Sequence, residues 1–287
     1  MRKMGNGDWG IGNGSTSETS ALRPSVDVEF LEVAREAALA AGKVLQDWAE
    51  KFTVSEKGPA DLVTEADLAS QTVIHDILRA RFPEHGFLGE EGLHSGGSRT
   101  EYRWIIDPLD GTSNYVHRFP YYAVSIGLQR RGQLIVGVIH DPTRGETFAA
   151  RCRGGATLNG RPIRVSRFDR LSRAMVIASF PPGVAPDSEP IKRFLTVLPH
   201  AQTIHRSGSA ALNLAYIASG RLDAFWSTSL KPWDVAAGAL LVAEAGGRAT
   251  TMSGRPLDIE VPDLLSSNGT GIHEELQMLL SGNSGAN

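Results

Sequence analysis

The sequence predicts a layered α/β fold, and three observations carry that expectation. Apolar residues at helical spacing open the chain, strand-like segments separated by turn signals fill its middle, and strands alternate with helices in its last third. Its 287 residues, 41% of them hydrophobic, suffice for one large core or two small ones. We expect a single domain over 26–280, with an α+β half at 26–180 and an α/β half at 181–280. Residues 1–25, rich in Gly, Ser and Thr, read as a disordered leader without the apolar core of a secretion signal, and 281–287 as a flexible tail.

Over about 27–52, Phe30, Val33, Ala34, Ala37, Ala41, Val44, Leu45 and Trp48 recur at helical spacing, which predicts a long amphipathic helix. Lys57-Gly58-Pro59-Ala60-Asp61 is a loop by its Gly and Pro, and a second amphipathic helix follows, carrying Leu68, Ile74, Ile77 and Leu78. Thr64 and Asp67 before it have capping-box spacing. Residues 122–128 and 134–140 read as strands joined through Arg130-Arg131-Gly132-Gln133. Further strands are predicted at 147–151 and 161–165, with Asn159-Gly160 as a type I′ turn pair, so the middle is a β-meander. A strand at 174–179 ends in the Pro-rich loop 180–189, expected to be mobile and to mark a soft subdomain boundary. A helix over 210–220 follows the Ser207-Gly208-Ser209 start, then a strand over 222–226. Lys231-Pro232-Trp233-Asp234 leads into a helix over 235–245, closed by Gly246-Gly247.

The chemistry concentrates in Trp104-Ile105-Ile106-Asp107-Pro108-Leu109-Asp110-Gly111-Thr112-Ser113-Asn114. A buried-strand pattern runs straight into two aspartates flanking a proline. Two carboxylates this close in a cleft need a cation to screen them, and all-oxygen ligands suit a hard one such as Mg²⁺. Pro108 fixes φ so that the Leu109 carbonyl can face the same centre, and the Gly111 and Thr112 N–H groups can hold a phosphate. An Asp-Gly turn with both carboxylates in water is the other reading of the same residues. Phe87-Leu88-Gly89-Glu90-Glu91-Gly92 is likewise either a surface turn or, beside Asp107 and Asp110, the source of Glu90 as metal ligand and proton acceptor for the attacking water. Asp234, in a first helical turn, either complements the helix dipole or binds metal with its ionised form favoured there.

A net charge of −3, from 29 basic and 32 acidic residues, gives no basic footprint and argues against a dedicated nucleic-acid binder. The single cysteine, Cys152, excludes an intramolecular disulfide and a thiolate metal site, which points to a reducing, cytoplasmic compartment. No apolar run approaches the roughly 20 residues that span a bilayer.

Taken jointly, these motifs are identified with a family. Asp61-Leu62-Val63-Thr64 with Asp67, Gly89-Glu90-Glu91, Trp104 through Asn114 with His117-Arg118-Phe119-Pro120, Trp233-Asp234 with Ala237-Gly238, and Glu244-Ala245-Gly246-Gly247 resemble the inositol monophosphatase family, in its order, over about 27–280. The resemblance implies an αβαβα sandwich of the sugar-phosphatase type, a homodimer, two or three Mg²⁺ ions per site and sensitivity to Li⁺. By motif, Glu90, Asp107 and the Leu109 carbonyl would bind the first metal, and Asp107, Asp110 and Asp234 the second. Glu90 and Thr112 would orient the attacking water, and Asp67 would accept a hydrogen bond from the Thr112 hydroxyl. Gly111 and Thr112 would hold the phosphate, Ser209 and Ala210 match positions lining the substrate pocket, and Lys57 resembles a lysine near the metal's path.

One departure bears on the substrate. Inositol-preferring members carry a glutamate seven positions before the metal-binding aspartate, where this chain has Ser227. Loss of that carboxylate lowers discrimination for a vicinal diol. The implied reaction is hydrolysis of inositol 1-phosphate or a similar small alcohol phosphate, without a phosphoenzyme. Histidinol phosphate, fructose 1,6-bisphosphate, NADP and adenosine bisphosphates are the alternative substrates. A different role is also implied, since some bacterial members associate with the transcription machinery, but the complete carboxylate set argues for an enzyme.

Overall fold

The computed structural model describes residues 26–58, 61–96, 100–261 and 263–282. The expected leader at 1–25 and most of the expected tail lie outside these residues, as does the Lys57 side chain.

The chain builds five layers. The outer layer of the first half is α1 (Val26–Trp48) and α2 (Glu65–Arg81), with a two-stranded ribbon of β1 (Val54–Gly58) and β2 (Asp61–Thr64) between them. They cover a sheet formed by β3 (Gly86–Gly89), β4 (His94–Ser95), β5 (Tyr102–Asp110), β6 (Ala123–Arg130), β7 (Gln133–Asp141), β8 (Glu146–Arg151), β9 (Gly155–Leu158) and β10 (Arg161–Pro162). Its order is β10-β9-β8-β7-β6-β5-β3-β4, antiparallel except where β3 runs parallel to β5. The short helix α3 (Thr112–Val116) follows β5 directly.

The second sheet takes β11 (Met175–Ser179), β12 (Thr203–His205), β13 (Ala224–Ser227), β14 (Arg248–Thr250) and β15 (Leu264–Ser267) in the order β12-β11-β13-β15-β14. Between the sheets lie α5 (Ala210–Ala218) and α6 (Pro232–Glu244), and outside the second sheet lie α4 (Glu189–Val197) and α7 (Gly271–Leu280). This is the αβαβα sandwich. The chain changes sheets between β10 and β11, so β11 already belongs with the second sheet.

Packing explains the sequence patterns. Strand β5 is covered on both faces: Trp104 and Ile106 pack among Phe30, Ala37 and Leu45 of α1, while Ile105 faces the middle layer with Ala236 and Ala237 of α6. A strand buried on both sides needs an unbroken apolar run, which is what residues 104–106 supply. Helix α6 lies between two sheets and is apolar nearly all round, with residues 235–242 all buried. Its backbone lies close against the large sheet where two strand glycines make room. A Cβ on Gly137 would lie 2.6 Å from the Ala237 carbonyl oxygen, and one on Gly127 would lie 2.9 Å from the Ala236 Cβ.

Several expected boundaries moved. The first helix stops at Trp48 rather than near 52, and the ends of the loop expected at 57–61 are paired as strand, Gly58 of β1 with Asp61 of β2, while residues 59 and 60 lie outside the described residues. The strand expected at 161–165 shortens to β10, where Pro162 has no N–H to extend the ladder. Asn159 and Gly160 both have positive φ, 49° and 77°, as a type I′ turn requires.

Candidate active site

Four strand ends and two helix starts converge. The carboxyl ends of β3 and β5 in one sheet and of β11 and β13 in the other meet the N-termini of α5 and α6. Their mouth is a cleft of about 530 Å³. Such carboxyl-end crevices are where α/β sheets place ligands.

The local backbone of β5 sets the two aspartates. Residues three apart in a regular strand point to opposite faces. Here Asp107 pairs with Ser125 and Asp110 with Ala123, so β5 carries one extra residue in this interval and both carboxylates turn the same way. Pro108 lies inside the bulge, where its missing N–H breaks no ladder bond, and its carbonyl accepts from Ser70 Oγ at 2.8 Å. Asp234 comes from the first turn of α6, where its Oδ2 also accepts from Lys231 N at 2.8 Å. It therefore caps its helix and faces the cleft at once.

Asp107, Asp110 and Asp234 place one carboxylate oxygen each within 4.8 Å of one another. Burial first, and for Asp107 and Asp234 neighbouring charge second, makes these carboxyls weaker acids. Burial, then the charges of Glu90, Asp110 and Asp234, push Asp107 well above the usual carboxylate range. Burial, then the charge of Asp110, does the same to Asp234. Burial raises Asp110 to about 6 against hydrogen bonds that pull it down. Those bonds come from the start of α5: Ser209 Oγ at 2.5 Å, Ala211 N at 2.7 Å and Ala210 N at 3.2 Å.

None of the three carboxylates has a lysine or arginine ion-pair partner among the described residues. Three oxygen donors without a counter-charge fit a hard divalent cation, which makes each carboxylate favourable in its ionised form.

Glu90 follows β3 and lines the cleft, although it stands outside the tight triad. Leu109 is buried, its N–H donates to Asp107 Oδ1 at 3.0 Å, and its carbonyl lies 3.2 Å from Thr112 Oγ1. Thr112 Oγ1 also lies 3.3 Å from Asp67 Oδ1. Asp67 in turn accepts from Thr64 N at 2.8 Å and Thr64 Oγ1 at 2.6 Å, so the capping box and the contact to Thr112 coexist. Burial raises the Asp67 carboxyl, and the hydrogen bonds from Thr64 and Thr112 hold it down. Gly111, at φ 100°, turns the chain from β5 into α3 against the Tyr121 carbonyl and Gly208.

Ser209 and Ala210 line the cleft, but their polar groups are spent on Asp110. Ser227 does not line it. Its side chain is fully buried at the end of β13, and Ser229 and Leu230 form that part of the wall. The wall also includes Phe180-Pro181-Pro182 together with Arg206, a cation that sequence reasoning missed. Nothing local to Arg206 marks it, because only the β12–α5 connection carries it to the cleft.

The layered fold and the oxygen-only cluster define a class: α/β proteins with an acidic cluster able to hold a metal ion at the carboxyl ends of their strands. Comparison with known proteins gives the family. The sequence pattern of the inositol monophosphatase family matches residues 27–283. Inositol-1-monophosphatase of Synechocystis sp. is 40% identical over 93% of this chain and 94% of its own. Nus factor SuhB of Pseudomonas aeruginosa is 39% identical over 83% of this chain and 91% of its own. The solved structure of inositol monophosphatase from Anabaena (Nostoc) sp. is 41% identical, covers 89% of this chain and 96% of its own, and superposes with a TM-score of 0.80. The chain belongs to the inositol monophosphatase family and is a phosphoric monoester hydrolase. No described helix is long and apolar enough to cross a membrane.

Proposed function

We propose that this chain hydrolyses a small alcohol or sugar phosphate of the inositol 1-phosphate kind, with Mg²⁺, by direct attack of water. The observation that carries the reading is the uncompensated triad of Asp107, Asp110 and Asp234, the first two buried and the third half-buried, with Asp110 and Asp234 lining the cleft. Asp107, Asp110 and Asp234, with Glu90 and the Leu109 carbonyl, would hold the cations. When bound, these supply charge neutralisation for the phosphoryl oxygens and the leaving alkoxide and make water more acidic.

The protein's own groups do the rest. The single proton of the Thr112 hydroxyl is directed at the Asp67 carboxylate or the Leu109 carbonyl, so the oxygen of Thr112 presents lone pairs to the cleft. It accepts a hydrogen bond from the attacking water and turns the water's own lone pair towards phosphorus. Glu90, on the same wall, takes the water's proton. Gly111 and Thr112 open α3, where first-turn N–H groups lack helical partners and hold the phosphate oxygens. We expect a cytoplasmic homodimer that Li⁺ inhibits.

The test is phosphate release from inositol 1-phosphate, histidinol phosphate, fructose 1,6-bisphosphate and NADP, with and without Mg²⁺ and with added Li⁺. Metal-dependent turnover of one substrate above the rest supports the reading and names the substrate. In Asp107→Asn, turnover should fall at least about 100-fold while the protein stays folded, because the lost group is a ligand and the lost charge was a repulsive one.

A binding role has one observation in its favour, the resemblance to a relative named a Nus factor. It predicts that Asp107→Asn keeps the protein's cellular function although turnover is gone.

A further inference from the structure

Among the described residues, Arg206 is the one lysine or arginine that lines the cleft holding Asp110 and Asp234. Its guanidinium carbon lies 4.4 Å from the centroid of the Phe180 ring, and Nη2 donates to the Phe180 carbonyl at 2.8 Å. Among the described residues it has no carboxylate partner and no second hydrogen bond. The stack and the carbonyl hold the group in place and leave most of its five N–H donors unused. Arg206 is exposed, and a cation held this way in the same cleft as Asp110 and Asp234, and paired with neither, is open to an anion that is not part of the chain.

We propose that Arg206 reads a second anionic group on the alcohol half of the substrate, so that the preferred substrates are phosphate monoesters carrying another phosphate or a carboxylate. The inference rests on the phosphatase reading above and deepens it. With cations offsetting the floor, the reacting phosphate is held between Asp110, Asp234 and the start of α3. The alcohol then extends towards Phe180 and Arg206, where uncharged hydroxyls would gain only single hydrogen bonds. A phosphate or carboxylate takes the guanidinium fork with charge on both sides, which is both stronger and more directional. The cleft, at about 530 Å³, is within the range that encloses ligands larger than one phosphorylated alcohol. The burial of Ser227 agrees with this, since the wall offers no carboxylate there to read a diol.

The experiment compares substrates that differ in the second anion alone. The pairs are fructose 1,6-bisphosphate against fructose 1-phosphate, for a second phosphate, and 3-phosphoglycerate against glycerol 3-phosphate, for a carboxylate. With saturating Mg²⁺, kcat/KM of the doubly anionic member of at least one pair should exceed that of its partner by about tenfold or more. In Arg206→Gln that ratio should fall to within about threefold of one, with the loss in KM of the doubly anionic substrate, because the contact is remote from the reacting bond and acts on ground state and transition state alike. Arg206→Lys should keep part of the ratio. Ratios near one in the native protein for both pairs overturn the proposal. So does a ratio that Arg206→Gln leaves intact while lowering both members equally, which makes Arg206 a clasp for the Phe180 loop. Metal-dependent hydrolysis of inositol 1-phosphate without release from any of the four compounds also overturns the proposal, whereas no release from any of the five overturns the phosphatase reading itself, and this inference with it.

Discussion

Ser209 uses one hydroxyl twice. Its proton goes to Asp110 Oδ2 at 2.5 Å and its oxygen accepts from Leu212 N at 3.2 Å, capping α5. The same side chain therefore starts a helix and aims a carboxylate, and the two α5 N–H groups on Asp110 complete the hold. Ser209→Ala removes both contacts. The lost cap costs about 1 kcal/mol of stability, and the loosened Asp110 should weaken Mg²⁺ binding by about 10- to 100-fold, as loss of an orienting partner of a metal ligand does. Titration calorimetry with Mg²⁺ checks the second effect separately from the first. Native affinity in the variant would mean that Ala210 and Ala211 orient Asp110 without the hydroxyl. In the sequence Ser209 is visible only as a helix start and a family match; its bond to Asp110 spans about a hundred residues and leaves no local trace.

Helix α6 carries Asp234 to the cleft, and its height over the sheet is set from below. A methyl group at Gly137 would meet the Ala237 backbone, its carbonyl oxygen at 2.6 Å and its Cα at 3.0 Å, rather than a side chain that could swing away. Gly137→Ala must therefore lift the helix or bend β7. We expect a loss of about 1–3 kcal/mol, the usual range for overpacking, together with weaker Mg²⁺ binding, because Asp234 moves with the helix. Urea unfolding and Mg²⁺ titration of the variant measure both, and a stability loss with unchanged Mg²⁺ affinity would separate the seat of the helix from the site. The opening helix, the strand through residues 104–106 and α6 were legible because each carries its pattern within a dozen residues. Strand β12, three residues long and parallel to β11, has no such pattern, and neither has β14. Helix α7 did show one: Ile272, Leu276 and Leu280 are buried four residues apart, a spacing the sequence reading passed over. At the site, every carboxylate of the triad was readable, whereas Arg206 and the partners of Asp110 depend on which strand ends the topology brings together.

Over the whole molecule two sets of buried titratable groups act with opposite sign, and a divalent cation decides which one governs stability. Burial holds His85 and His140 below the ordinary histidine value, and it lowers His273, between Thr250 and Ser267, to about 4. An unfolded chain protonates these groups near 6.5. The folded chain resists, so their effect is to lose stability as pH falls below about 6.5. The acidic cluster works the other way. Its folded pKa values are raised, to about 6 for Asp110 and well above the usual range for Asp107 and Asp234, so its share of stability is present at low pH and is lost as pH rises through those values. Between about pH 4 and 6 the histidines and Asp110 oppose each other. The gain in urea midpoint from saturating Mg²⁺ over chelator should therefore grow as pH rises from about 4 to 6, because the cation compensates ionised carboxylates that the metal-free fold disfavours. With Mg²⁺ bound the histidines set the trend, so the midpoint should fall as pH drops from 6.5 towards 5. A Mg²⁺ gain that is absent or flat from pH 4 to 6 would mean that the triad is not an uncompensated cluster. The metal assignment would then lose its physical basis, because a site whose carboxylates already coexist needs no cation to hold them together.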